Sequence, residues 1–190
     1  MRMMEEKILS EGSVLPGGIL KVGSFLNQQI DTCFLKEIGE EIARLFSNDH
    51  VTKILTIESS GIAIAAAAGI AMGVPMVFAK KHKSSNVDGE VYSALVHSFT
   101  KNTDYNVMVS RDYLTGADRV LLVDDFLAAG NAFNGLLELC RQAGAEVVGF
   151  SAAIEKGFQR GGDKLREKGY KVESLAVIDS MTDSEIVFRT

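Results

Sequence analysis

Residues 119–132 read RVLLVDDFLAAGNA, an apolar strand pattern followed by two acidic residues and a turn of small residues. The nearly continuous apolar run over 119–124 is typical of a strand that is buried on both faces of a parallel sheet. A helix is predicted directly behind it over 132–143, and Gly144 is placed to end that helix. A buried strand that leads straight into a helix is the building unit of α/β domains. We therefore expect a central parallel sheet with helices on both faces.

The rest of the chain repeats this alternation of strand and helix patterns. Apolar residues recur at spacings of three and four over 30–46 behind Asp31, which predicts an amphipathic helix with an aspartate N-cap. Residues 80–90 show no apolar periodicity, and we expect a mobile loop there. Ligands of such folds bind at the carboxyl ends of the strands, so functional residues are sought there. The other predicted elements are strands over 53–57, 74–79, 145–154, 172–178 and 186–188, a β-ribbon over 92–100 and 106–110, and helices over 62–72 and 164–168.

Composition restricts the possible classes of function. The 190 residues carry a formal net charge of -5, with 46% hydrophobic and 24% charged residues. Compact domains usually have ~100–200 residues, so we expect one domain over residues 1–190. Nucleic-acid-binding chains usually have a basic excess, and no apolar run approaches the ~20 residues of a membrane span, so neither partner is expected. Cys33 and Cys140 are too few for a disulfide scaffold, which favours reduced thiols and a cytoplasmic location.

The small residues after the acidic pair suit an anion. Ala128, Ala129 and Gly130 allow backbone N–H groups to converge at the N-terminus of the next helix, where the peptide dipoles also favour negative charge. Asp124 and Asp125 would repel that anion, so we expect them to accept hydrogen bonds from sugar hydroxyls or to contact hydrated Mg²⁺. A ribose 5-phosphate meets both requirements. The alternative is an ordinary strand-to-helix turn with aspartate caps, although buried carboxylates cost desolvation energy unless something binds them.

This segment resembles the signature of the phosphoribosyltransferase family, whose members bind phosphoribosyl pyrophosphate with a hydrophobic strand, two acidic residues and a small-residue loop. The resemblance implies a type I phosphoribosyltransferase fold, with a flexible β-ribbon loop and a small hood from about 1–30 and 155–190. It implies that Asp124 and Asp125 are catalytic, and that Mg²⁺ is held mainly by the substrate and not by a dedicated protein site. The implied ligands of the 5-phosphate are Ala128, Ala129, Gly130, Asn131 and Ala132.

The chain departs from the family signature at two positions. Ala132 stands where many members have Thr, so one hydroxyl contact with the phosphate is missing. Ala128 stands where the 6-oxopurine branch often has an Asp that is proposed as the base near purine N7. These departures leave the general base of the implied reaction unassigned.

Two further segments are placed to bind a second anion. Glu58-Ser59-Ser60-Gly61 precedes a predicted helix and resembles the family's pyrophosphate loop, which in relatives can hold a non-proline cis peptide. Lys80-Lys81-His82-Lys83 follows a predicted strand, and its ammonium groups suit the charge that grows on departing pyrophosphate. The alternatives are an N-cap serine without a ligand and a solvated lysine patch. The implied pyrophosphate ligands are Glu58, Ser59, Ser60, Gly61, Lys81 and Lys83.

Residues 20–30, 57–61, 154–159 and 169–175 together are similar to the bacterial xanthine phosphoribosyltransferases, one branch of that family. This similarity implies transfer of the phosphoribosyl group to xanthine in purine salvage by a homodimer. It also implies that Leu20 and Asn27 contact the purine and that Lys156 reaches its 6-oxo group; an ammonium can only donate, so it prefers an oxo group to adenine's amino group.

Simpler interpretations and other functions stay open. Without the resemblance, Lys156 is a surface lysine and Asn27 a turn residue. An enzyme that uses adenine, hypoxanthine or guanine is the nearer alternative function. A regulator of the same fold that binds nucleic acid is the more distant one, and the negative net charge disfavours it.

Overall fold

A six-stranded sheet lies at the centre of the computed structural model, which describes residues 1–81, 90–98, 103–182 and 185–190. The helices are α1 (Arg2–Glu11), α2 (Thr32–Leu45), α3 (Gly61–Met72), α4 (Asn131–Ala143) and α5 (Gly161–Glu167), with a π-helical turn at Gly23–Asn27 and a 3-10 turn at Gly157–Gln159. The strands are β1 (Ser13–Leu15), β2 (Ile19–Lys21), β3 (Lys53–Ile57), β4 (Met76–Ala79), β5 (Val91–Ser98), β6 (Thr103–Ser110), β7 (Arg119–Leu127), β8 (Glu146–Lys156), β9 (Val172–Met181) and β10 (Ile186–Phe188).

The order of strands in the central sheet is β10-β9-β8-β7-β3-β4. Strands β9, β8, β7, β3 and β4 are mutually parallel, and β10 is antiparallel to β9. The parallel strands bring their carboxyl ends to one edge of the sheet, which is where a ligand site is expected.

The alternating side chains of β7 show how both faces of the sheet are covered. Leu121 and Val123 pack in one apolar cluster with residues of α1, α2 and α3. Val120 and Leu122 pack in a second cluster, together with residues of α4 and of the β5–β6 ribbon. Successive side chains of a strand point to opposite faces, so an apolar run such as this one is stable only between two layers. The predicted α/β fold with helices on both faces is confirmed.

Local signals explain where the helices begin and end. The Asp31 carboxylate accepts a hydrogen bond from the backbone N–H of Phe34 at 3.1 Å, so α2 has the predicted aspartate N-cap. Gly73 ends α3 in the left-handed conformation, with φ of 69°, which costs glycine little. By contrast, α1 was not predicted; it buries only Met4 and Ile8, which is too few for a clear amphipathic pattern.

The strand that carries the acidic pair is longer than predicted. Its predicted end is Asp124, whereas β7 continues to Leu127 because Phe126 and Leu127 pair with Ile154 and Glu155 of β8. The two carboxylates therefore belong to the strand itself and not to the turn that follows. Pairing with a neighbouring strand, which no local pattern records, sets this boundary.

The predicted ribbon is present as the antiparallel pair β5–β6. A bridge between Lys80 and Met108 joins it to the end of β4. The predicted mobile loop over 80–90 lies mainly outside the described residues, since 82–89 are not among them. The single domain with its hood stays a prediction; in the N-terminal part, the amino group of Met1 donates to the carbonyl oxygen of Leu175 on β9. None of the helices in the described ranges is long and apolar enough to cross a membrane.

Candidate active site

The carboxyl end of β7 places an acidic pair beside a turn of exposed backbone. Asp124 and Asp125 are each only 8% exposed. Residues 128–132, which we call the phosphate loop, lead from β7 into the first turn of α4, and Gly130 has a φ of 89°. This left-handed conformation is accessible to glycine and strained for other residues. The turn can therefore present its backbone N–H groups at the positive end of the α4 dipole.

The two carboxylates interact with each other and differ in environment. The backbone N–H of Asp125 donates to Oδ1 of Asp124 at 2.9 Å. Burial, and secondarily the charge of Asp125, raises the pKa of Asp124 well above its usual range, while the ammonium of Lys81 acts in the opposite direction. A buried carboxylate that is costly to ionise is stabilised by any positive charge that develops beside it.

The phosphate loop forms the wall of a small cavity. All five predicted phosphate ligands, residues 128–132, line this space of ≈ 220 Å³. The Asn131 side chain also contacts the ribbon, since its Nδ2 donates to the carbonyl oxygen of His97 on β5 at 2.9 Å. The loop is thus tied to the ribbon, and backbone N–H groups are the obvious donors to an anion in the cavity.

The predicted pyrophosphate loop connects β3 to α3. The peptide bond between Glu58 and Ser59 is cis. Oε1 of Glu58 accepts a hydrogen bond from the backbone N–H of Lys81 at 2.6 Å, so this carboxylate joins the loop to the residue that follows β4. A Cβ atom on Gly61 would lie 2.1 Å from Oγ1 of Thr56 and 3.0 Å from Oδ1 of Asp124. Only glycine lets the start of α3 approach the acidic pair this closely.

The lysines that were predicted to bind pyrophosphate are described only in part. The ammonium of Lys81 lies 5.4 Å from the centre of the Tyr105 ring, at the distance of a cation–π contact. Its positive charge acts to lower the pKa of Asp124. Lys83 and His82 lie outside the described residues.

The three predicted purine contacts come from distant parts of the chain. Leu20 is 6% exposed on β2. Nδ2 of Asn27 donates to Oδ2 of Asp125 at 3.2 Å. Nζ of Lys156 donates to the carbonyl oxygen of Gly18 at 3.4 Å and lies 5.7 Å from the centre of the Phe126 ring. Two of the three, Asn27 and Lys156, therefore lie next to the residues at the end of β7.

The environment of Lys156 differs from that of a surface lysine. Its side chain lines the same cavity as the phosphate loop, and burial lowers its pKa. An ammonium that is already partly desolvated forms a stronger hydrogen bond with a ligand acceptor than a solvated one does. Lys156 is therefore half-buried at the edge of this cavity and is not a fully solvated lysine.

Comparison with known proteins agrees with this geometry. The model of the phosphoribosyl transferase domain family matches residues 27–185, which include both loops and the acidic pair. The chain belongs to the phosphoribosyltransferase family.

Relatives of this phosphoribosyltransferase extend the match over its length. A protein of Bifidobacterium animalis subsp. lactis named xanthine phosphoribosyltransferase is 55% identical over 95% of this chain and 94% of its own length. A protein of Clostridium novyi with the same name is 50% identical over 100% of both chains. Among solved structures, the adenine phosphoribosyltransferase of Giardia lamblia aligns with a TM-score of 0.79 at 20% identity, over 94% of this chain and 98% of that one. The last likeness concerns the fold alone.

Sequence reasoning missed the residues that the ribbon brings to this phosphoribosyltransferase site. His97 and Tyr105 of the paired strands β5 and β6 line the cavity of the phosphate loop, as does Gln159 beyond β8. Burial raises the pKa of Tyr105, and the charge of Asp124 raises it further. The alternation of the ribbon strands was visible in the sequence, but nothing in it indicated that the ribbon folds over the end of β7.

Proposed function

We propose that this phosphoribosyltransferase transfers the 5-phosphoribosyl group of phosphoribosyl pyrophosphate to xanthine, forming xanthosine 5-monophosphate and pyrophosphate in purine salvage. One observation carries the proposal: proteins named xanthine phosphoribosyltransferase match the chain at 47–55% identity over 95–100% of its length. A match over nearly the whole chain spans the segments of the proposed base site as well as the phosphate loop.

Lys156 and Asn27 give a chemical basis for the choice of base. The Lys156 ammonium can only donate, so it suits the 6-oxo group of xanthine and leaves the amino group of adenine without an acceptor. The Asn27 amide donates to Asp125 through its nitrogen, so its oxygen is the atom it can offer to a base N–H. Xanthine carries an N–H at N3, where hypoxanthine and guanine have an acceptor lone pair. Asn27 would therefore favour xanthine among the 6-oxopurines.

The acidic pair is placed for the sugar. Displacement at C1 passes through an oxocarbenium-like state, as in glycosyl transfer generally, so positive charge develops on the ribose. Asp124 and Asp125 at the end of β7 stabilise that charge and accept hydrogen bonds from the ribose hydroxyls. The hydrogen bond between Asn27 and Asp125 links the base site to the ribose site, so the two groups are oriented together.

The residues present fit Mg²⁺ that is bound mainly through the substrate. Within residues 1–81, 90–98, 103–182 and 185–190, no group of three or more His, Cys, Asp or Glu side chains could hold a metal ion. The adjacent carboxylates Asp124 and Asp125 are hard oxygen donors whose negative charges repel each other, and a hydrated cation relieves that repulsion. Bound with phosphoribosyl pyrophosphate, Mg²⁺ would offset the negative charge of the leaving group.

The resemblance extends the proposal to a cytoplasmic homodimer. Both cysteines are free thiols, and burial raises the pKa of Cys140 to about 12, which makes that thiol unreactive.

Ile70 on α3 is 84% exposed beside an apolar groove between α2 and α3. Exposed apolar surface of this kind is consistent with a subunit contact. Sedimentation of the purified chain at several concentrations tests the dimer, and a constant monomer mass would refute it.

A turnover assay tests the proposed reaction. The purified enzyme is supplied with phosphoribosyl pyrophosphate, Mg²⁺ and, separately, xanthine, hypoxanthine, guanine or adenine. We expect the largest kcat/KM for xanthine and the smallest for adenine. The double variant Asp124→Asn with Asp125→Asn, purified in parallel, controls for contaminating activity and should be inactive. Faster use of any other base would contradict the assignment of xanthine as the substrate. No turnover with any base would contradict the proposed phosphoribosyltransferase activity.

A further inference from the structure

The beginning of α5 lies directly against the back of the phosphate loop. The backbone N–H of Gly161 donates to the carbonyl oxygen of Ala128 at 3.1 Å. A Cβ atom on Gly161 would lie 2.1 Å from that oxygen, 2.7 Å from the carbonyl carbon of Ala129 and 2.8 Å from the nitrogen of Gly130. The two backbones are therefore in contact, and no side chain larger than that of glycine fits between them.

An ion pair between a fully buried carboxylate and a partly exposed guanidinium fixes α5 in this position. Glu155 on β8 is fully buried, and its carboxylate oxygens accept hydrogen bonds from Nη1 and Nη2 of Arg166 on α5 at 2.9 Å and 2.8 Å. Oγ of Ser174 on β9 donates to the same carboxylate at 2.6 Å. A Cβ atom on Gly162 would lie 2.1 Å from Oε1 of Glu155, so the carboxylate packs against the first turn of α5.

Such a pair is a costly way to attach a short helix. Desolvating a carboxylate and a guanidinium offsets most of their attraction, so buried ion pairs contribute little net stability. Their geometry, however, is restrictive, because a bidentate contact allows one relative orientation of the two side chains. The pair between Glu155 and Arg166 therefore determines where α5 lies, and α5 in turn limits where the phosphate loop can lie.

We propose that Gly161 and the ion pair of Glu155 with Arg166 are positioning residues for the 5-phosphate of phosphoribosyl pyrophosphate. They support the phosphate loop from behind and hold its N–H groups directed at the cavity, without contacting the ligand. This inference rests on the proposed function, since it assigns a role to residues behind the phosphate site. It predicts that small changes behind the loop weaken phosphate binding selectively, because displacements of about 1 Å reduce rates by ~10²-fold.

The test compares Gly161→Ala with the matched variant Gly149→Ala. The control also introduces a crowded Cβ, 2.5 Å from the Phe46 ring and 3.0 Å from the carbonyl oxygen of Lys171, but at the opposite end of β8 from the site. Gly161→Ala should raise the KM for phosphoribosyl pyrophosphate and the Kd of ribose 5-phosphate by about tenfold or more, with the KM for xanthine changed less than about twofold. Gly149→Ala should lower the melting temperature and leave these constants unchanged. Equal effects of Gly161→Ala on both substrates, or none, would overturn the proposal.

Arg166 provides a second test if Gly161→Ala does not fold. Arg166→Met keeps an unbranched apolar stem and removes the guanidinium, and should also raise the Kd of ribose 5-phosphate selectively. Arg166→Lys restores one donor and should recover part of the loss. Unchanged binding in Arg166→Met, or no recovery in Arg166→Lys, would refute the role of the pair. Wild-type turnover in the same assays separates the two hypotheses: an inactive wild type contradicts the proposed function, while an active wild type with unaffected variants contradicts the positioning role alone.

Discussion

Replacing Lys156 with methionine would test how the enzyme recognises its base. The methionine keeps most of the apolar stem and removes the ammonium, which lies 5.7 Å from the centre of the Phe126 ring. That ammonium forms a long hydrogen bond of 3.4 Å to the carbonyl oxygen of Gly18 and contacts the Phe126 ring, and burial lowers its pKa. The free protein therefore loses little, and we expect the free energy of unfolding to change by less than about 1 kcal/mol.

The effect on catalysis should be much larger. A hydrogen bond from a charged donor contributes ~1.5–3 kcal/mol, which corresponds to about a 10- to 150-fold loss in kcat/KM for xanthine. Hypoxanthine also has a 6-oxo group and should lose a similar factor. The KM for phosphoribosyl pyrophosphate should barely change, because Lys156 is proposed to bind the base, whereas backbone N–H groups of the phosphate loop are proposed to bind the phosphate.

Competition kinetics with xanthine, hypoxanthine and adenine measure these ratios directly. Lys164→Met is a suitable control, since Lys164 is exposed on α5 and away from the cavity. The reasoning would be refuted if Lys156→Met weakened the use of phosphoribosyl pyrophosphate as much as that of xanthine. Lys156 would then support the cavity as a whole and would not read the 6-oxo group.

Three other changes test separate parts of the site and core. Asn27→Ala should reduce the preference for xanthine over hypoxanthine in competition assays, because only xanthine carries an N–H at N3, and an unchanged ratio would exclude Asn27 as the residue that recognises this N–H. Burial raises the pKa of Asp124, so the native state binds the proton of this carboxyl more tightly than the unfolded state does. The free energy of unfolding of the wild type should therefore fall as pH rises from about 4 towards that raised pKa. Asp124→Asn should remove this slope in urea titrations and raise stability at neutral pH while abolishing turnover; parallel pH profiles would contradict it. Phe150→Ala removes a fully buried ring that packs edge-on against Phe133 and Tyr170 at 5.3 Å and 5.1 Å, and should cost ~3–5 kcal/mol of unfolding free energy; a loss below about 1 kcal/mol would mean that the core refills the space.

The features that were correctly predicted depend on residues close together in the chain. The cap of α2 by Asp31 involves a backbone N–H three residues later, and the glycine that ends α3 acts through its own φ. The phosphate loop needs only the strand before it, the helix after it and small residues between them. Such signals are complete within about a dozen residues, so the order of elements and the turn of small residues between β7 and α4 could be predicted from them; anion binding by that turn stays a prediction.

Long-range pairing determined the rest of the site. β7 extends past its acidic pair because of its register with β8, and Asn27 reaches Asp125 across 98 residues of sequence separation. Tyr105 enters the cavity because the ribbon folds over the end of the sheet.

Gly161 is the clearest case of this limit. In the sequence it is one of two adjacent glycines before a short helix, and a helix start is the only role its neighbours indicate. In the fold, the backbone of Ala128 occupies the space that a side chain at position 161 would need, although the two residues are 33 positions apart in the chain (161 − 128). Local sequence patterns record the conformation that a residue prefers, whereas close packing between distant segments depends on which backbones the completed sheet brings into contact.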